Sequence, residues 1–364
     1  MSLPYHLLIT VGTSLLNNLK HGAFGAKPTS ENLAEVQKFL SAQASPLERV
    51  CGAELNSTFQ LIAQKQVQAD CTLHFCVSDT EDGQLMGAIL RQYCQQEGYC
   101  VQLHTIESLQ DKDPRRFGNE GLRNLVRICG KVIQEAGGPE QVALNATGGY
   151  KAQIAIAALI GAALQIPVYY KHELFDSVIA FPPMPIAFDE QLLSQHLNYL
   201  LQLEEPGSSL DYVPDDEALL NLLDVVSEDG QSLCSLSPLG QICLTSFLQR
   251  HPPDKTLPRA ATASERKSTR LRDDHYPKGF ADFVEKIASE CPYITQCVSL
   301  DYSGQASIRH ARFYTRLNDA ETLVGEYLDK DGFGARFQIK TTAVTARERD
   351  AVIADLTRRY SPQR

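Results

Sequence analysis

The chain has 364 residues, 43% hydrophobic and 21% charged, with 44 acidic side chains against 34 basic ones and a net charge of −10. That composition suits two or three packed domains and excludes a disordered chain. No apolar run reaches membrane-spanning length, and residues 1–5 lack a basic region leading into a signal core, so the expected location is the cytoplasm, with no membrane partner. The charge is uneven: residues 1–250 hold 15 Lys/Arg against 28 Asp/Glu, and residues 251–364 hold 19 against 16. The C-terminal part is therefore a different domain, and the overall charge does not argue against a polyanion partner. Ten cysteines without a Cys-x-x-Cys pair read as reduced thiols, and no metal site is expected.

Residues 6–11 form a buried-strand pattern that runs into Gly12-Thr13-Ser14-Leu15-Leu16-Asn17-Asn18, a turn rich in hydroxyls and amides. Residues 72–77 repeat the pattern and close on Ser78-Asp79-Thr80-Glu81-Asp82-Gly83. Residues 142–144 are a third short apolar run, joined by Asn145-Ala146-Thr147-Gly148-Gly149-Tyr150-Lys151 to an Ala/Ile helix over 152–164. Two glycines let the backbone approach a ligand, the first-turn N–H groups face it, and Lys151 adds a full charge. The turn reads as a phosphate site. It is neither a Walker loop nor the Gly-x-Gly-x-x-Gly fingerprint.

In a parallel α/β sheet, ligands sit outside the carboxyl ends of the strands, so three polar strand ends describe one crevice. Its candidate ligand-binding residues are Gly12, Thr13, Ser14, Asn18, Ser78, Asp79, Thr80, Asn145, Thr147, Gly148, Gly149, Tyr150 and Lys151. This predicts an α/β Rossmann-like domain over 1–187.

A proline cluster at 182–185 marks its end. Leu192, Leu193, Leu197, Leu200, Leu201 and Leu203 recur at helical spacing, as do Leu219, Leu220, Leu222, Leu223 and Val226, and another helix is expected over 237–250. Residues 188–250 thus read as a small helical or winged-helix connector. Arg250 is the single basic residue of the candidate DNA-reading helix, too few for phosphate contacts, so a connector or dimer spacer is favoured. Residues 251–267 read as a linker.

Residues 268–364 have an α+β pattern: a helix over 280–287, strands over 293–302, 308–317, 322–328 and 335–341, and a closing helix over 346–360. Period two puts His310, Arg312, Tyr314 and Arg316 on one face, with Arg336, Gln338 and Lys340 doing the same and Phe337 and Ile339 turned to the core. Such a face can hold RNA phosphates and offset the charge that grows when a 2′-hydroxyl attacks phosphorus, with no metal. The candidate catalytic residues are Arg312, Tyr314, Arg316, Lys340, Arg347 and Arg349. An ordinary solvated sheet face is the competing interpretation. Arg270 and His275 also fit the Arg-x-x-x-x-His spacing of HEPN ribonucleases, although those domains are wholly helical.

Through Thr10–Ser14, Ser78–Gly83 and Asn145–Lys151, the first part of the chain resembles the CARF (CRISPR-associated Rossmann fold) sensors of type III CRISPR defence. That resemblance implies a homodimer whose joined crevices bind a cyclic oligoadenylate, most often cyclic tetra-adenylate, as an allosteric activator with no further cofactor. It also implies a possible ring nuclease activity from Thr13 or Ser14 with Lys151. Through Ala346-Arg347-Glu348-Arg349 and the basic strand before it, residues 268–364 look like a RelE-type mRNA interferase, which cuts mRNA in the ribosomal A site. Arg347 would then be the transition-state arginine, with Arg312 and Arg316 as the basic residues of the central strand. Ile353 stands where that family commonly has a tyrosine, and Ala346 where it has a basic residue, leaving Tyr314 or Tyr360 to supply the ring. The whole is similar to a cyclic-oligoadenylate-activated endoribonuclease acting on ribosome and mRNA. A ligand-controlled transcription regulator is the alternative.

Overall fold

Strands covered by helices on both faces carry apolar side chains on both, and residues 6–11, 72–78 and 142–145 have that composition. The computed structural model describes residues 3–110, 112–172, 175–181, 188–204, 210, 213–214, 216–228, 231–251, 256–271, 276–300, 312–316, 319–331 and 333–360, without the side chains of residues 198, 228, 231, 312, 316, 319 and 320. It divides into two units: Met1–Phe188 with Val213–Gln249, and Asp189–Tyr212 with Arg250–Arg364.

The first unit runs β1 (His6–Thr10), α1 (Ser14–His21), α2 (Leu33–Ser41), α3 (Gly52–Ala63), β2 (Thr72–Ser78), α4 (Glu81–Gln96), β3 (Val101–Ile106), α5 (Pro114–Arg116), α6 (Leu122–Glu135), β4 (Val142–Asn145), α7 (Lys151–Leu164), β5 (Val168–Tyr170) and β6 (Ile179–Ala180). The sheet order is β3-β2-β1-β4-β5-β6, parallel except for β6. Strand order reverses between β1 and β4, the switch point at which such sheets open a ligand crevice. Leu7, Ile9, Phe75 and Val77 pack on one face with Leu15, Leu40, Leu55 and Met86. Leu8, Cys76 and Ile106 pack on the other with Val126, Val132 and Ile160. The Rossmann-like architecture expected from the alternating pattern is therefore present.

His6 Nδ1 and His74 Nε2 share a hydrogen bond of 3.0 Å, as do His74 Nδ1 and His104 Nε2. Burial first, then the neighbouring His104 and His6, push His74 from 6.5 down to about 3. On acidification the unfolded chain takes up this proton first, so the stability it confers is complete above about 6.5 and is lost as pH falls toward 3. Urea midpoints measured from pH 7 to 5 should therefore fall with acid, and less steeply in His74→Gln. Equal slopes in the two proteins would reject the assignment.

The stretch 188–250, read as one connector, is shared between the units. Helices α8 (Glu190–Gln195) and α9 (Leu197–Glu204) go with the second, whereas α10 (Glu217–Leu220), β7 (Leu223–Glu228), β8 (Gln231–Leu236) and nearly all of α11 (Pro238–Arg250) go with the first. The run 219–226, expected to be helical, leaves the helix after Leu220. Val225 and Val226, β-branched and stiff at χ1, pair instead with Cys234 and Leu233 in a hairpin. On α11, Gly240 through Phe247 are buried, and Ser246 Oγ donates to the Ala163 carbonyl at 2.9 Å. Arg123 of α6, itself buried, donates to the Leu236 carbonyl at 3.1 Å. A helix packed over eight successive residues is poorly placed to enter a DNA groove.

The second unit continues with α12 (Phe280–Glu290), β9 (Ile294–Ser299), β10 (Arg312–Arg316), β11 (Asp319–Leu328), β12 (Gly334–Thr341) and α13 (Ala346–Tyr360). Its sheet is antiparallel in the order β10-β11-β12-β9. Phe280 and Phe283 of α12 meet Phe337 of β12 edge to face at 5.8 and 6.3 Å. Helix α13 starts where it does because Thr345 and Glu348 form a capping box: Glu348 N–H donates to Thr345 Oγ1 at 3.2 Å, and Thr345 N–H donates back to Glu348 Oε2 at 3.0 Å. From Ala261 onward the expected linker is pinned to the sheet edge, with Ala261, Lys267 and Arg270 N–H groups donating to Pro292, Thr295 and Cys297 carbonyls at 2.8, 2.8 and 2.9 Å. Arg270 is thus in extended chain, not on a helix. His275 and His310 lie outside the described residues. Among those described, no helix is long and apolar enough to cross a membrane.

Candidate functional site

At the switch point the turns after β1 and β4 meet backbone to backbone. A Cβ on Gly12 would lie 2.7 Å from the Gly149 nitrogen, closer than real atoms pack, so this approach needs glycine. Gly149 also holds φ at 99°, a left-handed conformation. Thr10 Oγ1 ties the turns together by donating to the Gly148 carbonyl at 2.6 Å. Beneath β4, Asn145 Nδ2 donates to Ser57 Oγ at 2.8 Å, while Asn145 Oδ1 accepts from Thr147 Oγ1 at 2.6 Å. Tyr150 caps α7, its N–H donating to Gln153 Oε1 at 2.6 Å, and Lys151 opens the helix, exposed. Gln153 is fully buried, and its Nε2 has no hydrogen-bond partner.

The carboxylate of Glu54, 1% exposed, lies under both turns. Gly12 N–H donates to its Oε1 at 2.8 Å, and Ser14 Oγ donates to Oε2 at 3.4 Å. A Cβ on Gly148 would strike Oε1 and lie 2.7 Å from the Thr10 carbonyl. Burial pushes the Glu54 carboxyl up, against the bonds from Gly12 N–H, its own backbone N–H and Ser14. Lys171, just past β5, donates its N–H to Thr147 Oγ1 at 3.1 Å and its Nζ to Asn56 Oδ1. Burial lowers the pKa of its ammonium, with Asp176 acting the other way.

The structure therefore brings together Gly12, Thr13, Ser14, Asn145, Thr147, Gly148, Gly149, Tyr150 and Lys151. Ser78 ends β2, which flanks β1 on the side away from β4, and Asp79 and Thr80 follow it. There Thr80 caps α4 by accepting from Gly83 N–H at 3.1 Å, and Asp79 Oδ2 accepts from Ser108 N–H at 2.8 Å. Asn18 is on α1, donating to the Arg49 carbonyl at 2.9 Å. Sequence reasoning missed Glu54, Asn56 and Lys171. Glu54, Ser57 and Thr58 share a face at helical spacing, yet nothing in that spacing says the face is buried.

Replacing Gly148 with Ala forces a methyl into Glu54 and the Thr10 carbonyl. The expected cost is about 1–3 kcal/mol, read as a lower urea midpoint, together with loss of anion binding. An unshifted midpoint with intact binding would contradict this geometry.

In the second unit, β10, β11 and β12 align Arg312, Glu326 and Arg336 on one rung. Glu326 is fully buried, and its Oε1 accepts from Tyr314 Oη at 3.0 Å and Arg336 Nε at 2.7 Å. Phe313, Phe337 and Ile339 are buried as the alternation required. The cationic face thus has a carboxylate at its centre that pattern alone did not mark. Lys340 is exposed at the far end of β12 beside a register shift. The strand carrying Arg312 and Arg316 is present, but their side chains lie outside the described residues. Arg347 Nη2 lies 3.3 Å from His251 Nδ1, and Arg349 Nε is buried without a hydrogen-bond partner.

Residues 49–184 match the model of a family described as CRISPR-associated protein (Cas_APE2256). The match supports a CRISPR association. It spans a little over a third of the chain, from just before α3 past β6, and so takes in Glu54, the β4 turn and Lys171. The Cas_APE2256-like stretch begins after β1, so Gly12 and Ser14 complete the crevice from outside it.

Proposed function

We propose that the chain is a sensor and effector of CRISPR defence: the crevice binds a cyclic oligoadenylate, with cyclic tetra-adenylate the first to test, in a homodimer, and the C-terminal unit is the ribonuclease it activates. What carries the sensor half is the pair of glycine turns meeting at the switch point, within and beside a stretch that matches a CRISPR-associated family. Cyclic ligands with two-fold symmetry suit a two-fold site. The effector half draws support from the Tyr314, Glu326 and Arg336 cluster on a strand face rich in cations, which suits stabilisation of a pentacovalent phosphorane. By analogy with RelE-type enzymes the substrate is mRNA in the ribosomal A site.

A translation extract given cyclic tetra-adenylate, with cleavage mapped codon by codon, tests both halves. Cuts that need ligand and ribosome are expected. Ligand-independent cutting would reject the sensor, and equal cutting of naked RNA would reject the RelE-like action. Ring opening is a second activity of the same crevice, favoured by the Ser14 hydroxyl held on a buried carboxylate. Linear product after incubation with purified protein would establish it.

A further inference from the structure

The crevice floor contains a titratable group that recognition of an anion does not obviously require. Glu54 sits in the first turn of α3, an end of the helix that favours negative charge. It takes the Gly12 N–H and the Ser14 hydroxyl, donors of the kind a phosphate oxygen would use. Its Oε1 is also in contact range of the Gly148 backbone. A phosphodiester seated on the Gly148–Gly149 turn would therefore come within a few ångströms of a second negative charge, about 5 Å by the size of a residue, and one of two such charges must give way.

We propose that Glu54 is the positioning residue of the crevice and takes up one proton as a phosphodiester binds. Deprotonated, it clamps the β1 turn and holds the empty crevice in shape. Protonated, its carboxyl keeps one acceptor oxygen for Gly12 N–H and gains an O–H donor, so the clamp survives while the repulsion is removed. The groups facing it from the β1 and β4 turns, Gly12, Ser14 and Gly148, do not titrate in this range. Neighbouring elements carry charges at Lys151 at the start of α7, Lys171 at the end of β5, and Glu48 and Arg49 before α3. Burial already favours the neutral carboxyl, so the added anion acts in the same direction.

This inference rests on the crevice being an anion site. Synthetic cyclic tetra-adenylate is titrated into the full chain by calorimetry across about pH 5.5 to 9, in pairs of buffers that differ in ionisation enthalpy. Uptake approaching one proton is expected over part of that range, with affinity falling there by up to about tenfold per pH unit as pH rises. Glu54→Gln should bind with a nearly flat pH profile and without that uptake, its circular dichroism and melting point showing that it folds. Absence of proton uptake by the unmutated protein at every pH overturns the proposal, as does the same slope in Glu54→Gln. Should the unmutated protein bind no ligand at any pH, the anion-site assignment itself fails, and the proton coupling with it.

Discussion

Lys151→Ala should lose activation by cyclic tetra-adenylate while the C-terminal unit keeps its fold. Lys151 is exposed at the first position of α7, beside the Gly148–Gly149 turn. Its ammonium can meet a phosphate approaching the start of α7, and a hydrogen bond to a charged group contributes about 1.5–3 kcal/mol. The expected weakening is therefore about ten- to a hundredfold. Since ligand shifts an equilibrium only by its difference in affinity for the two states, activation at a fixed concentration should fall by a similar factor. Equilibrium binding and ligand-dependent cleavage are measured on the same preparation. Unchanged affinity would remove Lys151 from the site, and lost activation with unchanged affinity would reassign it to coupling.

Much of that site was legible because glycine at a strand end constrains backbone approach directly. Gly12, Gly148 and Gly149 follow apolar strands, and their meeting at the switch point follows from topology alone. Glu54 was not legible: a carboxylate on an amphipathic helix is ordinarily solvated, and only the tertiary fold turns its face under two turns. Glu326 escaped for the same reason, since alternation assigns it to the polar face of β11 without revealing that Tyr314 and Arg336 close over it. The hairpin over 223–236 was missed because leucines at 219, 220, 222 and 223 fit helical spacing as well as they fit a short helix leading into a strand.

Asp355→Ala should strongly destabilise the C-terminal unit. Asp355 is fully buried on α13 and accepts from Tyr293 Oη at 2.7 Å, Arg358 Nη2 at 2.6 Å and Arg359 Nε at 2.9 Å. Tyr293 is 1% exposed, so its hydroxyl would lose its carboxylate acceptor in the core and keep only the Cys291 thiol beside it. Removing one member of a buried ion pair costs about 3–5 kcal/mol, and the partly exposed arginines place the expectation at the lower end. The chain contains no tryptophan, so unfolding in urea is followed by circular dichroism. A loss under about 1 kcal/mol would show that water replaces the carboxylate. Asp355→Asn, which keeps one acceptor for Tyr293, should recover part of the loss.

The pairing of His6 with Val142 joins positions about 136 residues apart. Loop closure over that distance is slow compared with a local hairpin, and at synthesis rates of about 5–20 residues per second β4 leaves the ribosome roughly ten seconds or more after β1. Until then the middle strand of the sheet has one flank open and the crevice has one wall. A nascent chain therefore has no complete crevice until about two fifths of its residues, through Lys151 of 364, have been joined, and the two glycine turns become available to each other only then.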